Sequence, residues 1–70
     1  MELRDVVGKN VRRLRLACGK TQEALAAEAK IDLTYMGGIE RGRRNPSLEV
    51  IARVAAALGV EPSALLQEVE

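Results

Sequence analysis

The chain has 70 residues and a formal net charge of +1, and its composition is 47% hydrophobic and 30% charged. This length supports one domain with a small core and not two. With no histidine and a single cysteine, the sequence offers no internal disulfide and no metal-ligand cluster, so we expect no enzyme, metal or cofactor. No signal-peptide pattern and no stretch of about 20 apolar residues are present, so we expect a reducing, cytoplasmic location and no membrane partner.

Charge is distributed unevenly along the chain. Residues 1–46 contain ten Lys or Arg against six Asp or Glu, whereas residues 47–70 contain one Arg against four Glu. A basic first part and an acidic last part can present one cationic face to a polyanion. The same counts also fit an ordinary surface of mixed charge, so charge alone leaves both interpretations open.

The aliphatic, alanine-rich composition, with Tyr35 as the only aromatic residue, predicts an all-α fold, and the pattern indicates five helices. The first is predicted over about residues 3–17. Its apolar stripe consists of Val7, Val11, Leu14 and Cys18. We expect Cys18 to be a small core residue and Gly19 to end the helix in a left-handed conformation. The positions off this stripe, expected mainly to improve solubility, include Arg12, Arg13 and Arg15.

Two short helices follow, separated by a very short connection. Thr21 is a good N-cap for the first of them, which extends to about residue 29. Asp32 is a strong N-cap for the second, which continues to about residue 41. Helices joined by so few residues must cross at a steep angle, which predicts a helix-turn-helix over about residues 21–41.

The rest of the chain is predicted to hold a basic loop and two further helices. The loop spans residues 42–46, where Pro46 prevents helix continuation. Ser47 caps the fourth helix and Gly59 ends it. The apolar positions of this helix are Leu48, Ile51, Ala52, Ala55 and Leu58. Pro62 suits the first position of a fifth helix, predicted over about residues 62–69.

A helix-turn-helix places its second helix in the major groove of DNA while the first helix braces against the backbone. Free N–H groups beside the Thr21 cap attract a phosphate, and the Gln22 amide can bond a phosphate or a base edge. Leu33 and Thr34 are expected on the exposed, N-terminal side of the third helix, opposite inward-facing Met36 and Ile39. Thr34 offers a hydroxyl and a methyl group, and Leu33 can contact a thymine methyl. Glycines further along this helix let its backbone approach DNA closely.

The arginines after the third helix are expected to bind phosphates that flank the site. Tyr35 either packs its ring on the domain or reaches a phosphate with its hydroxyl. Glu40 would repel DNA if it pointed outward, so we expect it to bond a backbone N–H or an arginine and to hold the loop. The predicted DNA-binding residues are Thr21, Gln22, Leu33, Thr34, Tyr35, Gly37, Gly38, Arg41, Arg43, Arg44 and Asn45.

Four short sequence motifs occur in order along the chain: Thr21-Gln22-Glu23, Ile39-Glu40-Arg41-Gly42, Asn45-Pro46-Ser47-Leu48 and Ala57-Leu58-Gly59-Val60. In this order and spacing they resemble the lambda-repressor-like, Cro-type helix-turn-helix family, and the likeness covers roughly residues 7–67. The resemblance implies a compact five-helix fold, double-stranded DNA as the ligand, and usually a homodimer on a near-palindromic operator. Residues 32–40 also resemble the reading helix of controller proteins from restriction–modification systems, which are small, dimeric regulators.

Two positions depart from the family pattern. Lys30 stands in the turn where family members often have glycine, so a positive φ there would cost about 1 kcal/mol. Leu33 stands where many relatives carry a long polar residue, and leucine cannot hydrogen-bond a base. We therefore expect sequence reading to depend on Thr34, the arginines and the shape of the DNA.

We interpret residues 1–70 as a single helix-turn-helix domain of a dimeric transcriptional regulator that is associated with the nucleoid. It is either a repressor or an activator, with a restriction–modification controller as the narrower interpretation. Leu65, Leu66 and Val69 are predicted to form the dimer interface, unless they close the monomer core instead. A dimer would set two reading helices about 34 Å apart. RNA polymerase is a candidate second partner, no small-molecule ligand is expected, and the alternative function is a DNA-binding antitoxin of a toxin–antitoxin pair.

Overall fold

The computed structural model describes residues 1–68, which form four α-helices and a short 3-10 helix and contain no strand. The helices are α1 (Leu3–Ala17), α2 (Gln22–Ala29), α3 (Leu33–Glu40) and α4 (Leu48–Leu58), followed by the 3-10 helix (Pro62–Leu65). The predicted all-α class and the three predicted N-caps are confirmed, because the side chains of Thr21, Asp32 and Ser47 each accept a backbone N–H of the first helical turn. No helix in this part of the chain is long and apolar enough to cross a membrane.

One apolar core joins all five elements. Its largest fully buried side chains are Val11, Leu25, Met36, Ile39, Val54 and Leu65. The short helix α3 packs against both α1 and α2, and α2 also packs against α4. The predicted inward orientation of Met36 and Ile39 is confirmed. Because neighbouring helices cover only part of α3, the opposite side of this helix is free to carry a binding surface.

The predicted fifth α-helix is wrong, since its place is taken by a single 3-10 turn, Pro62–Leu65. The buried side chain of Asn10 in α1 gives a physical reason. Its amide donates hydrogen bonds to the carbonyl oxygens of Leu65, at 2.9 Å, and Gln67, at 2.7 Å. These bonds fasten the C-terminal segment to α1, and the first of them occupies a backbone oxygen that the predicted helix would use internally.

The predicted dimer residues therefore divide into three cases. Leu65 has no exposed surface and closes the monomer core, so its assignment to a dimer interface is wrong. Leu66, which follows the 3-10 turn, keeps 38% of its surface exposed. Val69 lies outside the described residues.

Three apolar positions predicted for the core are exposed. Cys18 is exposed one residue beyond the end of α1. Leu48 is 83% exposed at the start of α4. The buried face of α4 is formed instead by Val50, Ile51, Val54, Ala55 and Leu58, which also leaves the predicted core residue Ala52 exposed.

Candidate nucleic-acid interface

The turn between α2 and α3 has three residues and is held by backbone hydrogen bonds. Lys30 adopts the left-handed conformation with φ of 60°, as expected if a lysine replaces the glycine of such turns. The backbone N–H of Lys30 donates to Ala27, and that of Ile31 donates to Ala26 at 2.9 Å. These bonds satisfy the last carbonyls of α2 and fix the point at which the chain turns into α3.

The starts of α2 and α3 are both fixed by side-chain caps. The hydroxyl oxygen of Thr21 accepts from the N–H of Ala24 at 3.0 Å. The carboxylate of Asp32 accepts from Thr34 at 3.0 Å and from Tyr35 at 3.4 Å. Such caps stabilise a helix by about 1 kcal/mol. They define the first residues of α3 that a base edge would meet.

A buried ion pair links α1 to the end of α3. Arg15 donates through Nε to Glu40 Oε2 at 2.6 Å and through Nη2 to Glu40 Oε1 at 3.0 Å. The side chains are only 8% and 2% exposed, respectively. The prediction that Arg15 improves solubility is therefore wrong. The predicted inward role of Glu40 agrees with this geometry, although its partner comes from α1 and not from the loop.

The same carboxylate also binds α2. Gln22 Nε2 donates to Glu40 Oε1 at 2.9 Å, and Arg15 Nη1 donates to the carbonyl of Lys20 at 2.9 Å. Burial alone would raise the pKa of Glu40, but the hydrogen bonds from Arg15 and Gln22 outweigh it and hold this pKa below its ordinary value. The cluster thus ties α1, α2 and α3 together through one charged group. Its bond to Gln22 also fixes the amide that we predicted for DNA contact.

Close backbone packing sets the position of α3 against α1. A Cβ atom at Gly8 of α1 would overlap the carbonyl oxygen of Ile39 and lie 3.0 Å from that of Glu40. A Cβ atom at Gly42, where φ is 73°, would overlap the carboxylate of Asp5. Only glycine permits these approaches, so both positions fix how the end of α3 and the following loop lie on α1.

The outward side of α3 begins with two accessible residues. Leu33 is 43% exposed, and Thr34 is also exposed. Tyr35 and Gln22 are half-buried, whereas Thr21 is exposed at the start of α2. Chemically, this side offers a methyl-rich surface and one hydroxyl at the N-terminal end of α3.

Two glycines on α3 are buried, contrary to the prediction that their backbone is open to DNA. The arginine side chains that follow cover them: Arg41 lies over Gly37 and Arg44 lies over Gly38. The guanidinium carbon of Arg44 also lies 5.8 Å from the centroid of the Tyr35 ring. Of the two roles predicted for Tyr35, the half-buried ring fits packing, and its hydroxyl contact remains a prediction.

The loop after α3 is exposed and cationic. It is lined by four exposed residues, Arg41, Arg43, Arg44 and Asn45. Backbone N–H groups of Gly42 and Arg43 donate to carbonyls of Ile39 and Gly38, at 3.0 and 2.9 Å, so the loop starts from a fixed position. Within residues 1–68, no carboxylate pairs with these three arginines. Their charge is therefore available to an anionic partner.

The structural roles of three residues that hold this surface in place were not predicted from the sequence. Gly8 and Asn10 were not singled out, and Arg15 was assigned to solvent. The signal available for Arg15 was a charged residue four positions after Val11, on the flank of the apolar stripe. A glycine and an asparagine in the middle of a predicted helix gave a comparable signal, since neither favours a helix interior without a specific reason.

A short turn between two capped helices, with a cationic loop at the exit of the second, defines a helix-turn-helix of the DNA-binding class. Residues 11–65 match the family described as Helix-turn-helix (HTH_3), and the chain belongs to this family. It is a DNA-binding transcriptional regulator.

Several relatives are similar over most of their length. The control protein C.BamHI of Bacillus amyloliquefaciens is 45% identical over 65 residues, which cover 91% of this chain and 80% of that protein. The solved structure of a hypothetical transcription factor from Neisseria, NHTF, has a TM-score of 0.92 and 42% identity, covering 96% of this chain and 77% of that one. The restriction–modification controller protein C.AhdI from Aeromonas hydrophila has a TM-score of 0.86 and 45% identity, covering 89% of this chain and 94% of that one.

Proposed function

We propose that this regulator acts as a homodimeric controller of the restriction–modification type, which binds an operator in its own promoter. The similar proteins C.BamHI and C.AhdI are named control or controller proteins, and C.AhdI is matched over 94% of its length. In this proposal residues 1–70 work as one DNA-binding unit. Binding to an operator in its own promoter would make synthesis of the regulator depend on its own concentration, which is autoregulation.

The observation that carries the proposal is the three-way bonding of Glu40. By joining Arg15 and Gln22 it holds α1, α2 and α3 in one rigid frame. We propose that this frame presents α3 to the major groove, with the Thr34 hydroxyl at a base edge and the Leu33 side chain against a thymine methyl. Thr21, Arg43 and Asn45 then contact backbone phosphates on either side.

The dimer interface is proposed to centre on Leu66. This side chain is 38% exposed beside a C-terminal turn that Asn10 fixes to α1, so it has a defined place on the surface. A small domain gains stability from association with a second copy. Sedimentation equilibrium should show a dimer for the natural chain and a monomer for Leu66→Glu. A dimer that persists in Leu66→Glu would place the interface elsewhere.

The function is tested by selecting bound duplexes from a random pool, which yields the operator and the half-site spacing together. We expect two half-sites whose centres are about one DNA turn apart. Arg43→Ala should weaken binding to all duplexes and reduce the salt slope by about 1, because it removes one phosphate contact. Thr34→Val should change the preferred sequence instead.

Arg53→Ala is the matched control for charge. Arg53 lies on α4 and pairs with Glu49 of the same helix, so its loss should leave both the salt slope and the preferred sequence unchanged. If no selected duplex binds better than random DNA at about 150 mM salt, the proposed specific regulator is wrong.

A further inference from the structure

Two adjacent glycines of α3 form slots that arginine side chains fill. A Cβ atom at Gly37 would lie 3.0 Å from Arg41 Nη1, and its three nearest neighbours all belong to Arg41. A Cβ atom at Gly38 would lie 2.6 Å from Arg44 Cγ, and its three nearest neighbours all belong to Arg44. A Cβ atom at Gly38 would therefore force the stem of Arg44 to move, and one at Gly37 would press against the guanidinium group of Arg41.

These slots move positive charge toward the middle of α3. Helical side chains lean toward the N-terminus, so Arg41 covers the residue four positions earlier. At 1.5 Å of rise per residue, this places its guanidinium group about 6 Å back along the helix. Gly37 shares a helix face with Leu33 and Thr34, which lie four and three positions before it. The guanidinium group of Arg41 thus lies on the same helix face as these two exposed residues, about one turn further along α3.

The second arginine is oriented by an aromatic ring. With its guanidinium carbon 5.8 Å from the centroid of the Tyr35 ring, Arg44 is within the range of a cation–π contact. Its stem meanwhile crosses the bare backbone at Gly38. A planar guanidinium group held in this way loses less conformational freedom when it forms paired hydrogen bonds.

We propose that the Gly37-Gly38 pair positions Arg41 and Arg44 to read guanine bases in the major groove. Guanine presents two acceptors there, O6 and N7, which match the two-pronged donor geometry of arginine. The glycines and Tyr35 are positioning residues, and the two arginines are the specificity-determining ones. The inference rests on the proposed function, in which α3 enters the major groove. It replaces the predicted roles of close backbone approach for the glycines and phosphate contact for these two arginines.

The test uses the selected operator with single guanines replaced by 7-deazaguanine, which lacks the N7 acceptor but still pairs with cytosine. The natural chain should lose about 5- to 100-fold in affinity at the guanines that the arginines read. In Gly37→Ala and in Gly38→Ala this loss should fall below about 2-fold at one of these positions, because the corresponding arginine is displaced. Gly37→Ala should also raise the melting temperature, since alanine favours a helix over glycine.

Two further variants separate positioning from stability and charge. Ala56→Gly changes an exposed position of α4 and should lower the melting temperature without altering the 7-deazaguanine penalty. Arg41→Lys keeps the charge but not the two-pronged geometry, so the salt slope should persist while the penalty at its guanine falls.

A selected operator whose 7-deazaguanine penalties are the same for the natural chain, Gly37→Ala, Gly38→Ala and Arg41→Lys would overturn this inference and leave the proposed function standing. A chain that prefers no duplex over random DNA would overturn the proposed function, and the inference would fall with it.

Discussion

Replacing Glu40 with alanine should destabilise the protein more than the loss of any exposed charge does. Glu40 and Arg15 are 2% and 8% exposed, so the substitution leaves a guanidinium group buried without its counter-charge. Breaking one partner of such a pair costs about 3–5 kcal/mol. A chain of 70 residues has a total stability of about 4–10 kcal/mol, at about 0.05–0.15 kcal/mol per residue. Glu40→Ala should therefore remove a third or more of the stability.

Glu49→Ala is the matched control. Glu49 pairs with Arg53 at 3.4 Å on the surface of α4, where the two side chains are 77% and 39% exposed. An exposed pair of this kind contributes about 0.2–1 kcal/mol. The two substitutions remove the same chemical group, so the difference between them measures the effect of burial.

The assay is urea unfolding at pH 7, followed by far-ultraviolet circular dichroism, with stability taken from the midpoint at constant m-value. Glu40→Ala could unfold without urea, so the double variant Arg15→Met/Glu40→Leu keeps the reasoning testable. Because it removes both charges together, it should lie within about 1 kcal/mol of the natural chain or above it. A cost for Glu40→Ala equal to that of Glu49→Ala, or a double variant that is less stable than Glu40→Ala, would refute the argument.

Three further predictions concern acid, helix packing and the turn. The folded-state pKa of Glu40 lies below its unfolded value of about 4.3, so the stability that ionised Glu40 contributes is complete above that pH and is lost as pH falls through the folded pKa. The urea midpoints of the natural chain and of Glu40→Gln should therefore converge in acid. Midpoints that stay equally far apart at every pH would contradict this. Gly8→Ala should cost about 1–3 kcal/mol in urea unfolding, despite better helix propensity, because the overlapping atoms are backbone. Lys30→Gly should raise stability by about 0.5–1 kcal/mol by relieving the left-handed lysine, and a lower urea midpoint would contradict this.

Features that depend on neighbouring residues were predictable from the sequence. The caps Thr21, Asp32 and Ser47 act within three residues of their own position, so a local pattern is sufficient to identify them. The inward orientation of Met36 and Ile39 follows from helical spacing alone. The predictions that Cys18 and Leu48 are core residues failed at helix ends, because the apolar spacing continues there past the turns whose side chains are buried.

Contacts between distant positions could not be predicted. The bonds from Asn10 to the C-terminal turn span 55 and 57 positions, and that from Arg15 to Glu40 spans 25. No periodicity within one helix reports such partners. The fifth helix was mispredicted for the same reason, since Pro62 correctly marked a helical start but the distant asparagine holds the residues after the 3-10 turn in an irregular conformation.

The proposed reading surface of α3 depends both on local helical spacing and on contacts between distant positions. From the sequence, α3 carries little besides Leu33 and Thr34, because glycines occupy its next outward positions. Side chains in a helix lean toward the N-terminus, so the surface above a glycine is determined by the residue about one turn later. The buried pairing of Glu40 with Arg15 directs the negative charge of Glu40 away from the neighbouring Arg41, so the charge of this arginine is available to an anionic partner. The residues that orient Glu40 inward therefore determine the charge of the surface that α3 offers to the groove, although none of them belongs to that helix.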